Sequence, residues 1–164
     1  MTNRIPVCLS SILIIPSSDS GSTSYWQQKG NELCNEGLLT EALKAYDMAL
    51  SLDSTLVNAW NNKGMILAHM GRHQEALKCF DEALKSDPKH LFTLSNKGMV
   101  LGQLNRHHEA LACFDAAIGI DPSFSGAWYN KALAMQCLGL KREAMAAMKT
   151  AKELEGGKGC GLRR

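Results

Sequence analysis

Residues 57–90 read VNAWNNKGMILAHMGRHQEALKCFDEALKSDPKH, and the same phrase runs, with substitutions, before and after them at a period of 34 residues. Trp60 is matched by Trp26, Leu94 and Trp128, and Gly64 by Gly30, Gly98 and Ala132. Further columns are Ala42, Ala76, Ala110 and Ala144; Leu43, Leu77, Leu111 and Met145; Tyr46, Phe80, Phe114 and Met148; and Ala49, Ala83, Ala117 and Ala151. A fixed period of this length marks a stacked array whose units bury apolar faces against one another. Function is then expected on an extended surface rather than in a catalytic pocket.

Within a unit the apolar residues step by three and four, as Trp60, Gly64 and Leu67 do, and again from Ala76 through Phe80 to Leu84. That spacing predicts two helices per unit. Between them stands Gly37, Gly71, Asn105 or Gly139, residue types that adopt the left-handed conformation that ends a helix. Asp87-Pro88 and Asp121-Pro122 close second helices, because proline lacks an amide hydrogen and disfavours helical geometry just before itself. The small residue of the first helix and the alanine of the second let the two backbones approach, with the second-helix ring filling the space beside them.

Together these residues resemble the tetratricopeptide repeat family. The resemblance covers residues 23–156 as four units, 23–56, 57–90, 91–124 and 125–156. It implies an all-α fold, a right-handed superhelical α-solenoid of antiparallel helix pairs. Ser54 and Gly156 stand where the family's terminating proline is expected, Leu94 replaces tryptophan and Ala132 replaces glycine. At the start, Glu32 and Glu36 occupy the columns of Ile66 and Met70; at the finish, Lys152 occupies that of Leu50, Leu84 and Ile118. Terminal units of an array turn polar faces outward, so four units are expected to stand alone. Met145, Met148 and Leu154 stay partly exposed in that arrangement and favour self-association through the last helix.

A total of 18 cationic side chains against 16 acidic ones gives a net charge of +2, with no basic cluster interleaved with aromatics, so no nucleic-acid partner is expected. Residues 1–22 read as a disordered tail, a weak signal peptide being the alternative, and their apolar run is too short to span a bilayer. Residues 157–164 read as a flexible Gly-rich tail, with Gly156 and Gly157 ending the last helix. The six cysteines form neither a C-x-x-C motif nor a disulfide framework, which favours a reducing, cytoplasmic compartment. Cys79 and Cys113 share a column with Ala45 and Ala147 and read as packing residues, Cys34 and Cys137 fall on first helices, and Cys8 and Cys160 lie in the tails. His69 and His73 have metal-ligand spacing but straddle Gly71, so no metal site is expected, and no cofactor or catalytic constellation emerges. Lys63, Lys97 and Lys131 are expected to reach Asp53, Asp87 and Asp121 at the end of the preceding unit.

The first helices of the family line a concave groove that commonly receives a peptide or protein segment. Asn62, Asn96 and Asn130, with Gln28, would form a row of amides able to donate and accept along a peptide backbone. This row resembles an asparagine ladder in a longer superhelical member of the family, at those three asparagines alone; the other reading is that asparagine bridges neighbouring units. Beside it are expected Asn31, Met65, Met99 and Leu133, then Gln27, Asn61, Ser95 and Tyr129, with Asn58, His69, Phe92, Gln103 and Gln136 completing the wall. The methionines suit tolerant recognition, or belong to the core. Family members that clamp acidic chaperone tails do so with cations, and the matching positions here hold Gln27, Phe92 and Asn96. The expected function is a non-catalytic scaffold binding a peptide or helix of a protein partner. Alternatives are a targeting or regulatory module of a separately encoded enzyme, or an exported assembly factor.

Overall fold

The computed structural model describes residues 21–158, and within them the chain forms eight α-helices. They are α1 (Thr23–Asn35), α2 (Leu39–Leu52), α3 (Val57–His69), α4 (His73–Ser86), α5 (Leu91–Gln103), α6 (His107–Ile120), α7 (Ser125–Cys137) and α8 (Lys141–Lys158). Each odd-numbered helix packs most extensively on the helix that follows it, and each pair then stacks on the next through α2 with α3, α4 with α5 and α6 with α7. The tail reading for residues 1–20, Cys8, Cys160 and residues 159–164 lie outside the described residues.

The turn within each pair is set by one residue of positive φ: Gly37 at 78°, Gly71 at 76°, Asn105 at 58° and Gly139 at 77°. Arg72 N closes back onto Leu67 O at 2.9 Å, and Arg106 N onto Leu101 O at the same distance, so the left-handed residue satisfies carbonyls that the helix end leaves open. Asp53 and Asp121 leave the second helices in extended conformation, and each carboxylate turns inward to its own loop. Asp53 Oδ1 accepts from Thr55 N at 2.8 Å, and Asp121 Oδ1 from Ser123 N at 2.8 Å.

Inside each of the first three pairs, an aromatic ring lies against the backbone of a glycine. A β-carbon at Gly30 would stand 2.8 Å from Tyr46 Cε1, and one at Gly64 or Gly98 would stand 2.6 Å from Cε1 of Phe80 or Phe114. Such separations are closer than carbon atoms tolerate, so the column is glycine because the ring occupies the space. The fourth pair carries a substitution at each position: Met148 replaces the ring and Ala132 replaces the glycine, one per cent exposed. A flexible thioether yields where a ring does not.

Trp60 and Trp128 join one pair to the next. The indole nitrogens donate to Ser54 O and Pro122 O, both at 2.9 Å, in the loop that ends the preceding unit. Lys63, Lys97 and Lys131 also cross these junctions, but to partners other than Asp53, Asp87 and Asp121. Their ammonium groups meet Asp47, Asp81 and Asp115 at 2.5, 2.6 and 2.6 Å. These acids lie in mid-helix on α2, α4 and α6, within reach of a lysine nearly two turns into the incoming helix, whereas loop amides already hold the terminating aspartates. The aspartates are more than half exposed, so each pair contributes about 0 to 1 kcal/mol.

The last helix does not stop at Gly156 and Gly157 but runs to Lys158. Glycine costs a helix about 1 kcal/mol relative to alanine and does not by itself end one; a positive-φ turn does, and none occurs here.

Two glycine substitutions on one helix separate these effects. Gly98→Ala is expected to lower stability by about 1–3 kcal/mol through collision with Phe114. Gly102→Ala, where an added β-carbon meets nothing within 4 Å, is expected to raise stability by about 0.5–1 kcal/mol. Paired urea melts of the two variants check the opposite signs.

Candidate functional site

Direct contacts of α3 with α5, and of α5 with α7, bring first helices of successive units together, while no two second helices come into comparable contact. The first helices therefore lie on the shorter, inner side of the curve. Three clefts open along this side, between α1 and α3, α3 and α5, and α5 and α7, with volumes of about 250, 60 and 310 Å³.

The asparagines on this face are unequal. Asn62 Nδ2 donates to Asn31 Oδ1 at 3.1 Å, and the Tyr46 hydroxyl donates to the same oxygen at 2.6 Å. Burial raises the Tyr46 phenol above its ordinary pKa and keeps it a donor. Asn96 Nδ2 donates to Asn61 Oδ1 at 3.0 Å, and the fully buried Thr93 hydroxyl donates to that oxygen at 3.2 Å. These two asparagines thus tie α3 to α1 and α5 to α3. For Asn130 the position on α5 that matches Asn61 is Ser95 and the one that matches Asn31 is Met99, neither of which carries an amide oxygen, and Asn130 has no hydrogen-bond partner among the described residues.

Asn61 and Ser95 were expected to line the groove, yet they are buried, with 8% and 5% exposure. They share a column, on the flank of α3 and of α5 that meets the next first helix, which covers these two positions. Tyr129 shares that column but is 45% exposed, because no first helix follows α7 among the described residues. Gln136 is placed elsewhere as well: it borders a cleft at the α8 end together with Ala132, Lys141 and Met145. Gln28 donates to Glu32 Oε1 at 3.1 Å along its own helix. His69 closes α3 and His73 opens α4 on either side of Gly71.

The remaining expected residues gather on the clefts. Gln27, Asn31, Asn58 and Asn62 line the α1–α3 cleft, which is polar. Met65, His69, Asn96, Met99 and Gln103 line the small α3–α5 cleft. Met99, Gln103, Asn130 and Leu133 line the α5–α7 cleft, joined by Gly98, Gly102, His107, Phe114, Ala134 and Cys137. Apart from Asn130, Gln103 and His107, this lining is apolar or sulfur-bearing. Phe92, 58% exposed, lies on the same row of α5 as Met99 and stacks edge-on with Phe124 at 6.0 Å between centroids.

Sequence reasoning missed Gly102 and Cys137. The signal was in the Ala68, Gly102 and Gln136 column, where the smallest residue faces the next first helix and leaves the space open. The Nδ1 atoms of His73 and His107 are buried without a partner, and His107 is the one whose side chain borders this cleft.

No curated protein matches the sequence. Family models described as tetratricopeptide repeat match residues 55–123 and residues 96–154. The chain belongs to the tetratricopeptide repeat family. Among solved structures, a crystal structure of MamA superposes with a TM-score of 0.80 at 23% identity, covering 86% of this chain and 82% of that one. MamA from residue 41 onward of Desulfovibrio magneticus RS-1 gives a TM-score of 0.75 at 24% identity, over 82% of this chain and 76% of its own. At these identities the likeness establishes the tetratricopeptide solenoid fold. Within the described residues no helix is long and apolar enough to cross a membrane.

The cysteines separate by environment. Burial pushes the Cys79 thiol up to about 11 and raises that of Cys113, whereas Cys137 is exposed in the α5–α7 cleft. At pH 8 the native chain is expected to be alkylated at Cys137 and spared at Cys79, with Cys79 labelled once urea unfolds it; peptide mass mapping reads both sites. A second contrast concerns the amides. Asn61→Ala removes the acceptor shared by the Asn96 amide and the Thr93 hydroxyl and is expected to cost about 1–3 kcal/mol, while Asn130→Ala is expected to stay within about 0.5 kcal/mol of the parent, as measured by thermal unfolding.

Proposed function

We propose that the chain is a non-catalytic scaffold that binds a peptide segment of a protein partner on its first-helix face, with the α5–α7 cleft as the principal contact. The observation that carries this reading is the coincidence, in one cleft, of exposed apolar side chains with an unsatisfied amide. Met99 and Leu133 are each 39% exposed, and Asn130 between them has no hydrogen bond among the described residues. An apolar peptide side chain would fill the space above Gly98 and Gly102, while the Asn130 amide would donate to and accept from the peptide main chain. Gln103 supplies a further polar contact at the rim.

The α1–α3 and α3–α5 clefts take a lesser part. Asn31 and Asn62 in the first and Asn96 in the second are already engaged in tying helices together, so a ligand reaching those groups would have to break hydrogen bonds to make them. A preformed surface of this kind avoids ordering costs on the receptor side, and the adaptable Met65 and Met99 suit tolerance of more than one sequence.

Peptides selected from a random display library against the full chain provide the test. Asn130→Ala is expected to weaken the selected peptides by roughly fivefold, equivalent to about 1 kcal/mol, and Leu133→Glu to abolish their binding. The peptides should also protect Cys137 from alkylation. Undiminished affinity in both variants, with Cys137 still freely labelled in the complex, would place the ligand elsewhere.

A further inference from the structure

On each second helix one stripe receives the incoming unit. In α6 it carries Leu111, Phe114, Asp115 and Ile118, and Asp115 holds Lys131 of α7 at 2.6 Å. Asp47 and Asp81 do the same for Lys63 and Lys97. The same positions of α8 are Met145, Met148, Lys149 and Lys152. Two clefts of about 310 and 500 Å³ adjoin along this stripe and share Met145 and Met148. Met145, 74% exposed, is the most open large apolar side chain of the described residues. Among the described residues Lys149 meets only Glu153 of its own helix, at 3.7 Å, and its side chain is 79% exposed.

The apolar centre of an internal junction is therefore kept, but its charge is reversed. At each internal junction the second helix offers an acid and the arriving helix a lysine; at α8 the second helix offers lysines and asks for an acid. This choice selects the occupant. A second copy arriving through α1 would bring Glu32 toward Lys152, but it would set Lys29 on Lys149 and place a carboxylate where Ile66 is buried at an internal junction. Two α8 faces would bring together Lys149 and Lys152 with the single acid Glu153 from each copy, so that cations outnumber acids. Residues 159–164, GCGLRR, add two arginines and no acid, and residues 1–20 contain Asp19 as their single acid.

We infer that the open face of α8 docks an amphipathic helix of another protein. The helix sets apolar side chains on Met145 and Met148 and places a carboxylate on Lys149, where the internal junctions place a lysine. The surface is distinct from the first-helix groove, and its failure in a test leaves the groove reading untouched.

The test appends a copy of residues 125–137 to the carboxy terminus of the full chain through a flexible Gly/Ser linker. The residue copied from Lys131 is either retained as lysine or replaced by glutamate. The glutamate form is expected to melt about 2–4 °C above the lysine form, and the exposed change Lys149→Asp is expected to reverse that order. Equal melting of the two forms, or an order unmoved by Lys149→Asp, would overturn the assignment. So would dimers of the unfused chain in sedimentation that Lys152→Glu dissociates, since the face would then belong to a second copy.

Discussion

An aromatic ring pressed against the backbone of a glycine, once in each of the first three helix pairs, is the contact on which the rest of the structure depends. It brings the two helices of a pair so close that even a methyl group at Gly64 or Gly98 has no room. Close pairing fixes how far each unit advances, and with it the spacing between successive first helices. Where the ring gives way to Met148, the glycine gives way to Ala132, so the two columns vary as one steric unit. The tryptophans and the Lys–Asp pairs act on a pair already formed: they set its register on the next one rather than create it.

That spacing determines what the inner face has left to offer. First helices that touch must satisfy the polar groups between them, and Asn31, Asn61, Asn62 and Asn96 are spent on this, with the hydroxyls of Tyr46 and Thr93. At the α5–α7 junction the smaller Ser95 and Gly102 leave the chain of amides broken. Asn130 is released, and a largely apolar space opens beside it. One pair of substitutions thus leaves Asn130 out of the bridges that join the other first helices. The first two asparagines of the row and the third share a column but hold different physical roles.

The fold was legible in the sequence because its determinants are periodic. Trp60, Gly64, Ala76, Phe80 and their counterparts repeat often enough that two helices per unit and a left-handed turn at Gly71 or Asn105 follow from spacing and residue type alone. The junctions were less legible. Lys63 was expected at Asp53, because that aspartate is near in sequence at the unit's end; the stack instead brings mid-helix Asp47 nearer in space, while the loop amide of Thr55 holds Asp53. The groove was least legible. Helical position shows that Asn61 and Ser95 lie beside the row, but not that the neighbouring helix covers them, since this depends on the distance between units. Gly102 reads in sequence as a weak point of α5, and only the distance to α7 makes it the floor of a cleft.

The central claim is that the α5–α7 cleft, rather than the row of asparagines as a whole, receives the partner segment. The most direct measurement is a crystal structure of the full chain bound to a peptide selected for affinity to it. The account predicts an apolar peptide side chain between Met99 and Leu133 and a main-chain hydrogen bond to Asn130, with the Asn62–Asn31 and Asn96–Asn61 bonds intact. A peptide lying on the α1–α3 side with those bonds broken, or seated on the outer second helices, would contradict it.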